Sequence, residues 1–216
     1  QVMNGGVAEH STEEWLKKAK VKGIEFINIS PLRSDIPKFT NAKWLQIRPN
    51  SDTALMLGLA HTLVTRNLHD KNFLKSNCTG YDKFEPYLLG TNDGQPKDAK
   101  WASIITEIPE EEILILATKM ASSRTMIATN WSLQRAEFGE QPFSMTVTLA
   151  SILGQIGLPG GGFAYGYGSM GGIGIPNENF PTPKLPTGDN PINSYIPVAR
   201  ITDLFLNPGK SYDFDG

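Results

Sequence analysis

Apolar positions along this chain follow two rhythms. Short β-branched or aromatic runs, IEFINIS (24–30), WLQIR (44–48) and TMIATNW (125–131), read as buried strands. Pro31 and Pro49 end the first two, because proline has no backbone N–H to donate to a strand ladder. Longer stretches repeat every three to four residues. In ALMLGLAHTLVTRNL (54–68), Leu55, Leu59, Thr62 and Leu63 share one helical face behind Asn50-Ser51-Asp52, with Asp52 the expected N-cap. DKNFLKS, YDKFEPYLL, KDAKWASII and PEEEILILATKMAS follow as helices between 70 and 122, the last with Pro109 at its first position. EQPFSMTVTLASILGQIG (140–157) is a long apolar helix ended by Gly157, and PVARITDLFL (197–206) is the last helix. At the start, Ser11 and Glu14 form a capping box for a short helix closed by Gly23.

Helices between β-branched strands predict an α/β fold, a Rossmann-like parallel sheet flanked by helices. Three strands are too few for a complete doubly wound domain, and the first helix lacks a preceding strand. The chain therefore reads as an incomplete piece of a larger enzyme. It divides into a dinucleotide-type domain (1–157), a Gly/Pro-rich loop (158–196) and a closing helix with its continuation (197–216).

Composition narrows the function classes. A net charge of −2 over 216 residues argues against a nucleic-acid partner. One cysteine, Cys78, excludes an internal disulfide and reads as a small packed residue. No apolar run reaches the length of a membrane span. The chain opens on Gln1, which suggests a cut terminus, so the missing leader says nothing about compartment.

Candidate chemistry is sparse. His10, His61 and His69 stand apart, without metal-ligand spacing; His61 reads as a packed helix residue. Glu110, Glu111 and Glu112 form a solvated helix start. There is no G-x-S-x-G elbow and no Walker A sequence. Gly166–Gly171 spells G-x-G-x-x-G, but it follows a helix and precedes prolines. A dinucleotide fingerprint needs a strand before it and a helix N-terminus after it. That placement, and the want of an acidic residue on a second strand about twenty positions further on, counts against a nicotinamide-dependent dehydrogenase.

Two places stand out, both just past strand ends, where open α/β sheets bind ligands. The first comprises Ser30-Pro31 and Arg48-Pro49-Asn50-Ser51-Asp52, where a carboxylate at Asp52 would suit the amino edge of guanine. The second is Trp131-Ser132-Leu133-Gln134-Arg135, a stacking face and a forked donor suited to a flat or oxo-bearing ligand.

The blocks RPNSDTALMLGLAHTL, LHDKNFL, NWSLQRAEFGEQP and LASILGQIGLPGGGF, followed by IPVARITDLFLNPGKSYDFDG, closely resemble the dimethyl sulfoxide, trimethylamine N-oxide and biotin sulfoxide reductase family of molybdenum enzymes. The resemblance covers essentially the whole chain and points to the family's central cofactor-binding domain. It implies a bis(molybdopterin guanine dinucleotide) cofactor with molybdenum in the intact enzyme, and none held by this segment alone. It also implies reduction of N-oxides or S-oxides by oxygen-atom transfer.

By the same resemblance, Ser30, Pro31, Asn50 and Asp52 contact a guanosine half. The family usually has asparagine where this chain has Ser30. Trp131 and Arg135 would lie by the pterin and substrate as catalytic residues, with Gln134 beside them. LPGGGF (158–163) is architectural, and the molybdenum ligand lies upstream, so no metal ligand is expected here. Expected partners are the oxide substrate and an electron donor such as a cytochrome or reductase. The expected compartment is the periplasm, or the cytoplasm for the biotin sulfoxide branch. The competing readings are a non-catalytic guanine-nucleotide module and another molybdopterin oxidoreductase.

Overall fold

The computed structural model describes residues 12–165, 188–189, 191, 196 and 198–211. The capping residue Ser11 and the glycines at 166–171 lie outside them. The chain forms two compact units, residues 1–178 and 179–216.

In the first unit, helix α1 (Thr12–Val21) leads into strand β1 (Ile27–Ile29), which pairs in parallel with β2 (Lys43–Leu45). Five helices follow: α2 (Asp52–Thr65), α3 (Lys71–Asn77), α4 (Tyr81–Leu88), α5 (Ala99–Thr106) and α6 (Glu110–Ser122). Strand β3 (Met126–Thr129), helix α7 (Gln141–Ile152) and strand β4 (Gly162–Tyr165) complete it. The second unit contains a 3-10 turn at Val198–Arg200 running into α8 (Ile201–Leu206).

Helix α2 is the centre of the core, because its sequence leaves it no polar face. Ten of its residues are buried, and a helix apolar all round must be covered on every side. It packs against α5, α6 and α7. Leu63, Ile113, Leu149 and Ile152 are among the largest fully buried side chains there. Leu45 and Ile47 bring the end of β2 into the same core.

Several expectations are corrected. The described strands form two parallel pairs, β1–β2 and β3–β4, rather than one sheet, and each strand is shorter than its apolar run. Residues 162–165, expected in the long loop, are β4, in register with β3 from Met126↔Gly162 to Thr129↔Tyr165, so a strand and not a helix comes directly before Gly166. Three glycines before Phe163 hide this strand from a propensity reading.

Helix α7 stops at Gly154 instead of Gly157. Gly154 has φ +66, and the Gln155 and Gly154 amides donate back to the carbonyls of Ala150 and Ser151. A side chain at Gly154 would also collide with Asp70, whose amide donates to the Ile152 carbonyl at 2.9 Å. Pro109 is the N-cap residue of α6, in extended conformation, not its first helical residue. Asp52 does not cap α2 but opens it. Ser51 stands at the cap position and spends its hydroxyl on the Arg48 carbonyl at 2.6 Å. Gly23 closes α1 as expected.

Candidate functional site

The strand ends carry both candidate places. At the first, β1 and β2 finish side by side, with the Ser30 amide donating to the Leu45 carbonyl at 3.3 Å. Ser30 is buried, and its hydroxyl donates to the Asp35 carboxylate while accepting from the Leu32 amide at 3.2 Å. Its carbonyl accepts from Trp44 Nε1 at 2.9 Å. Ser30 is thus committed within the chain, and Pro31 beside it is exposed.

After β2, the Arg48 amide donates to the Thr106 carbonyl at 2.9 Å and anchors the next turn to the end of α5. Asn50 makes that turn at φ +64, a conformation its short polar side chain tolerates. Asp52 follows on the first turn of α2. Burial raises its carboxyl pKa above the ordinary 3.8, and a hydrogen bond from its own backbone amide offsets part of the rise.

At the second place, β3 runs through extended Asn130 (φ −97, ψ 150) into a 3-10 turn, Trp131–Gln134. Extended backbone puts every second side chain on one side, so Thr129 and Trp131 face the same way. They line a cleft of about 830 Å³ together with Gln134, Glu140, Phe143, Ser144, Thr146, Val147 and Phe163. Arg135 closes the turn with its side chain exposed. Gly139 lies so close to the Gln134 carbonyl that any side chain there would clash, which fixes the entry into α7.

On two of the residues that line the cleft, Thr129 Oγ1 and Trp131 Nε1 are buried without a hydrogen-bond partner among the described residues. The structure therefore brings Trp131 and Gln134 together, with Arg135 at the edge of the same turn. Ser30, Pro31, Asn50 and Asp52 are built on the other pair of strands.

Sequence reading missed the opposite wall. Positions 140, 143, 144 and 147 form one helical stripe of α7, legible in the 3-4 spacing once the exposure of Val147 is known. Phe163 was missed with its strand. Among the described residues, no group of three or more His, Cys, Asp or Glu side chains is placed to hold a metal ion. None of the described helices is long and apolar enough to cross a membrane.

The family model described as molybdopterin oxidoreductase matches residues 7–204. The chain belongs to that family. It is 48% identical over 212 residues to biotin sulfoxide reductase from Cereibacter sphaeroides, covering 98% of this chain and 28% of that protein. It is 46% identical over 214 residues to trimethylamine-N-oxide reductase from Haemophilus influenzae, covering 94% and 26%. With dimethyl sulfoxide/trimethylamine N-oxide reductase from Rhodobacter capsulatus it shares 44% over 221 residues, covering 97% and 27%.

The chain thus spans little more than a quarter of the length of these curated relatives. Its fold matches part of acetylene hydratase from Pelobacter acetylenicus with a TM-score of 0.59 at 21% identity, over 68% of this chain and 19% of that one. The family implies a molybdenum–pterin cofactor, and the cleft fits a flat polar heterocycle. It offers an indole, two phenylalanine rings and the exposed amide of Gln134.

Proposed function

We propose that this chain is the central cofactor-binding segment of an oxidoreductase that reduces N-oxides or S-oxides such as trimethylamine N-oxide, dimethyl sulfoxide or biotin sulfoxide. The observation that carries this reading is its 48% identity, over 98% of its length, to a protein named for biotin sulfoxide reduction. The cofactor is bis(molybdopterin guanine dinucleotide), on a Rossmann-like frame that the rest of a longer protein completes. When bound, it supplies the two-electron metal centre that takes the oxygen atom from the oxide.

The chain's own residues bind and orient. The Asp52 carboxylate accepts from the N–H donors of a guanine edge, and Asn50, Pro31 and the fixed Ser30 turn shape the surrounding rim. Trp131 covers the pterin with its indole face, and Gln134 hydrogen-bonds beside it. Arg135 donates its fork to an anionic or oxide oxygen and holds it in place. Phe143, Val147 and Phe163 exclude water from the cleft. Electrons arrive from a cytochrome or reductase. The protein works in the periplasm, or in the cytoplasm if it belongs to the biotin sulfoxide branch.

The test uses the full-length gene product from molybdate-grown cells, with oxidation of reduced viologen followed against the three oxides. Turnover with any of them establishes the reductase, and their ranking names the branch. A molybdenum-loaded protein that turns over none of them would sink the oxide-reductase reading.

A further inference from the structure

The cleft beside β3 is walled by Trp131, Phe143 and Phe163, and three exposed polar residues, Gln134, Glu140 and Ser144, line it with them. Glu140, Ser144 and Val147 lie four and then three residues apart, on one face of α7. A helix meets its neighbours with side chains, so this face turns a carboxylate and a hydroxyl to the cleft.

None of the three polar side chains hydrogen-bonds or ion-pairs with another described residue. Glu140 stands at the N-cap of α7, yet its side chain caps nothing. Elsewhere on α7, Thr146, Thr148 and Ser151 turn their hydroxyls back to the carbonyls of Pro142, Ser144 and Val147 at 2.7, 2.9 and 2.8 Å, which Ser144 does not do.

The chain is strained to bring two of these groups together. Phe138 has φ +56, a left-handed conformation that a bulky residue rarely adopts, and its ring is 63% exposed, so packing of the ring does not hold it there. The reversal it makes sets Gly139 against the backbone of Gln134. Gln134 thus abuts the residue before Glu140. Strain of this kind, with no return in packing, belongs to sites that position side chains.

A carboxylate offers two acceptor oxygens side by side, and the neighbouring amide offers a donor. The pyrimidine ring of a pterin carries the matching row: an amino group, a ring N–H and a carbonyl. We propose that Glu140 is a cofactor-binding residue whose carboxylate accepts from that amino group and ring N–H, while Gln134 donates to the adjacent carbonyl. The inference rests on the cleft's taking the pterin, as set out above. Guanine carries the same row of groups on a smaller ring system, so the test must separate the two.

The test compares full-length wild type with Glu140→Gln, which keeps the size of the side chain and replaces one acceptor oxygen by a donor. Holoenzyme from molybdate-grown cells is followed for pterin release in mild urea. Protein from a host unable to make pterin is titrated with pterin, with lumazine (a carbonyl where pterin has the amino group) and with guanosine monophosphate. Glu140→Gln is expected to release pterin roughly tenfold faster, as for one lost charge-assisted hydrogen bond. The wild type should bind pterin tighter than lumazine, and the variant should lose or reverse that preference, because its amide can donate to the new carbonyl. Guanosine monophosphate binding should not change. The two cofactor-free proteins should melt alike, since Glu140 is exposed.

Equal release rates, or an unaltered preference for pterin over lumazine, would overturn the proposal. An effect confined to guanosine monophosphate would overturn it too, by assigning Glu140 to the guanosine half. So would a cofactor-free variant that melts well below the wild type, which would give Glu140 a structural role. A wild-type holoprotein that carries no pterin would instead overturn the cofactor reading beneath the proposal.

Discussion

The helical core around α2 and the cleft beside β3 differ in how fully they satisfy buried polar groups. In and around the core, nine polar or charged residues are buried, and each has a partner within the chain. Even Lys97 is satisfied: its ammonium reaches the Asp93 carboxylate at 2.6 Å and sits 4.4 Å from the centre of the Tyr87 ring. Beside the cleft, Thr129 Oγ1 and Trp131 Nε1 are buried without a partner among the described residues, whereas next to the core only His69 Nδ1, between α2 and α3, is so placed among them.

The core half of this contrast breaks most readily at Leu63, fully buried on α2. Leu63→Ala should cost about 2–5 kcal/mol, read as a lower urea midpoint, because the surrounding helices collapse only partly into the space. A cost below about 1 kcal/mol would mean that α2 is loosely held and is not the organising element.

The joint between the two regions is Gln155. Its side-chain oxygen accepts from the Thr125 amide at 2.7 Å, and its amide nitrogen donates to the Ser123 carbonyl at 2.9 Å and the Met120 carbonyl at 3.4 Å. One side chain just past α7 thereby ties the end of α6 to the start of β3. Gln155→Ala should cost about 1–3 kcal/mol by leaving these groups unpaired. The loss should appear first as faster hydrogen exchange in residues 125–129, with α2 unchanged. Exchange rising equally in both regions would show that cleft and core unfold as one unit.

The same contrast explains what could be read from the sequence. The amphipathic helices were legible because one-sided burial imposes a 3.6-residue period, and α2, apolar all round, lies where its long apolar run placed it. The candidate site was legible only in Trp131, Gln134 and Arg135, an aromatic, an amide and a charged side chain that show their chemistry in the sequence. Thr129 was not, since a threonine in a strand looks like ordinary β-propensity until its hydroxyl is seen to lack a partner. Phe163 and β4 escaped because glycines mask the strand and its pairing with β3 is non-local. Ser51 and Asp52 exchanged roles at the start of α2 because the Arg48 carbonyl captures the serine hydroxyl.

The smallest expected change in stability belongs to Asp52, and it extends the comparison to the other pair of strands. Burial raises the Asp52 carboxyl pKa above 3.8 in the folded chain. A raised folded pKa contributes stability that is fully present below the unfolded value and is lost as pH rises through the folded one. At neutral pH the charge is therefore an uncompensated burden, softened by the hydrogen bond from its own backbone amide and by the α2 N-terminus.

Asp52→Asn removes the ionisation, so it should melt above the wild type at pH 7, and the gap should close as pH falls to the ordinary carboxylate range. The same substitution should weaken retention of guanosine nucleotide, since an amide presents one acceptor oxygen where a carboxylate presents two. Stabilisation coupled to weaker binding would mark Asp52 as a group whose folding cost the ligand offsets. A variant that melts below the wild type at pH 7 would place Asp52 with the satisfied core, and the contrast would then stop at β3.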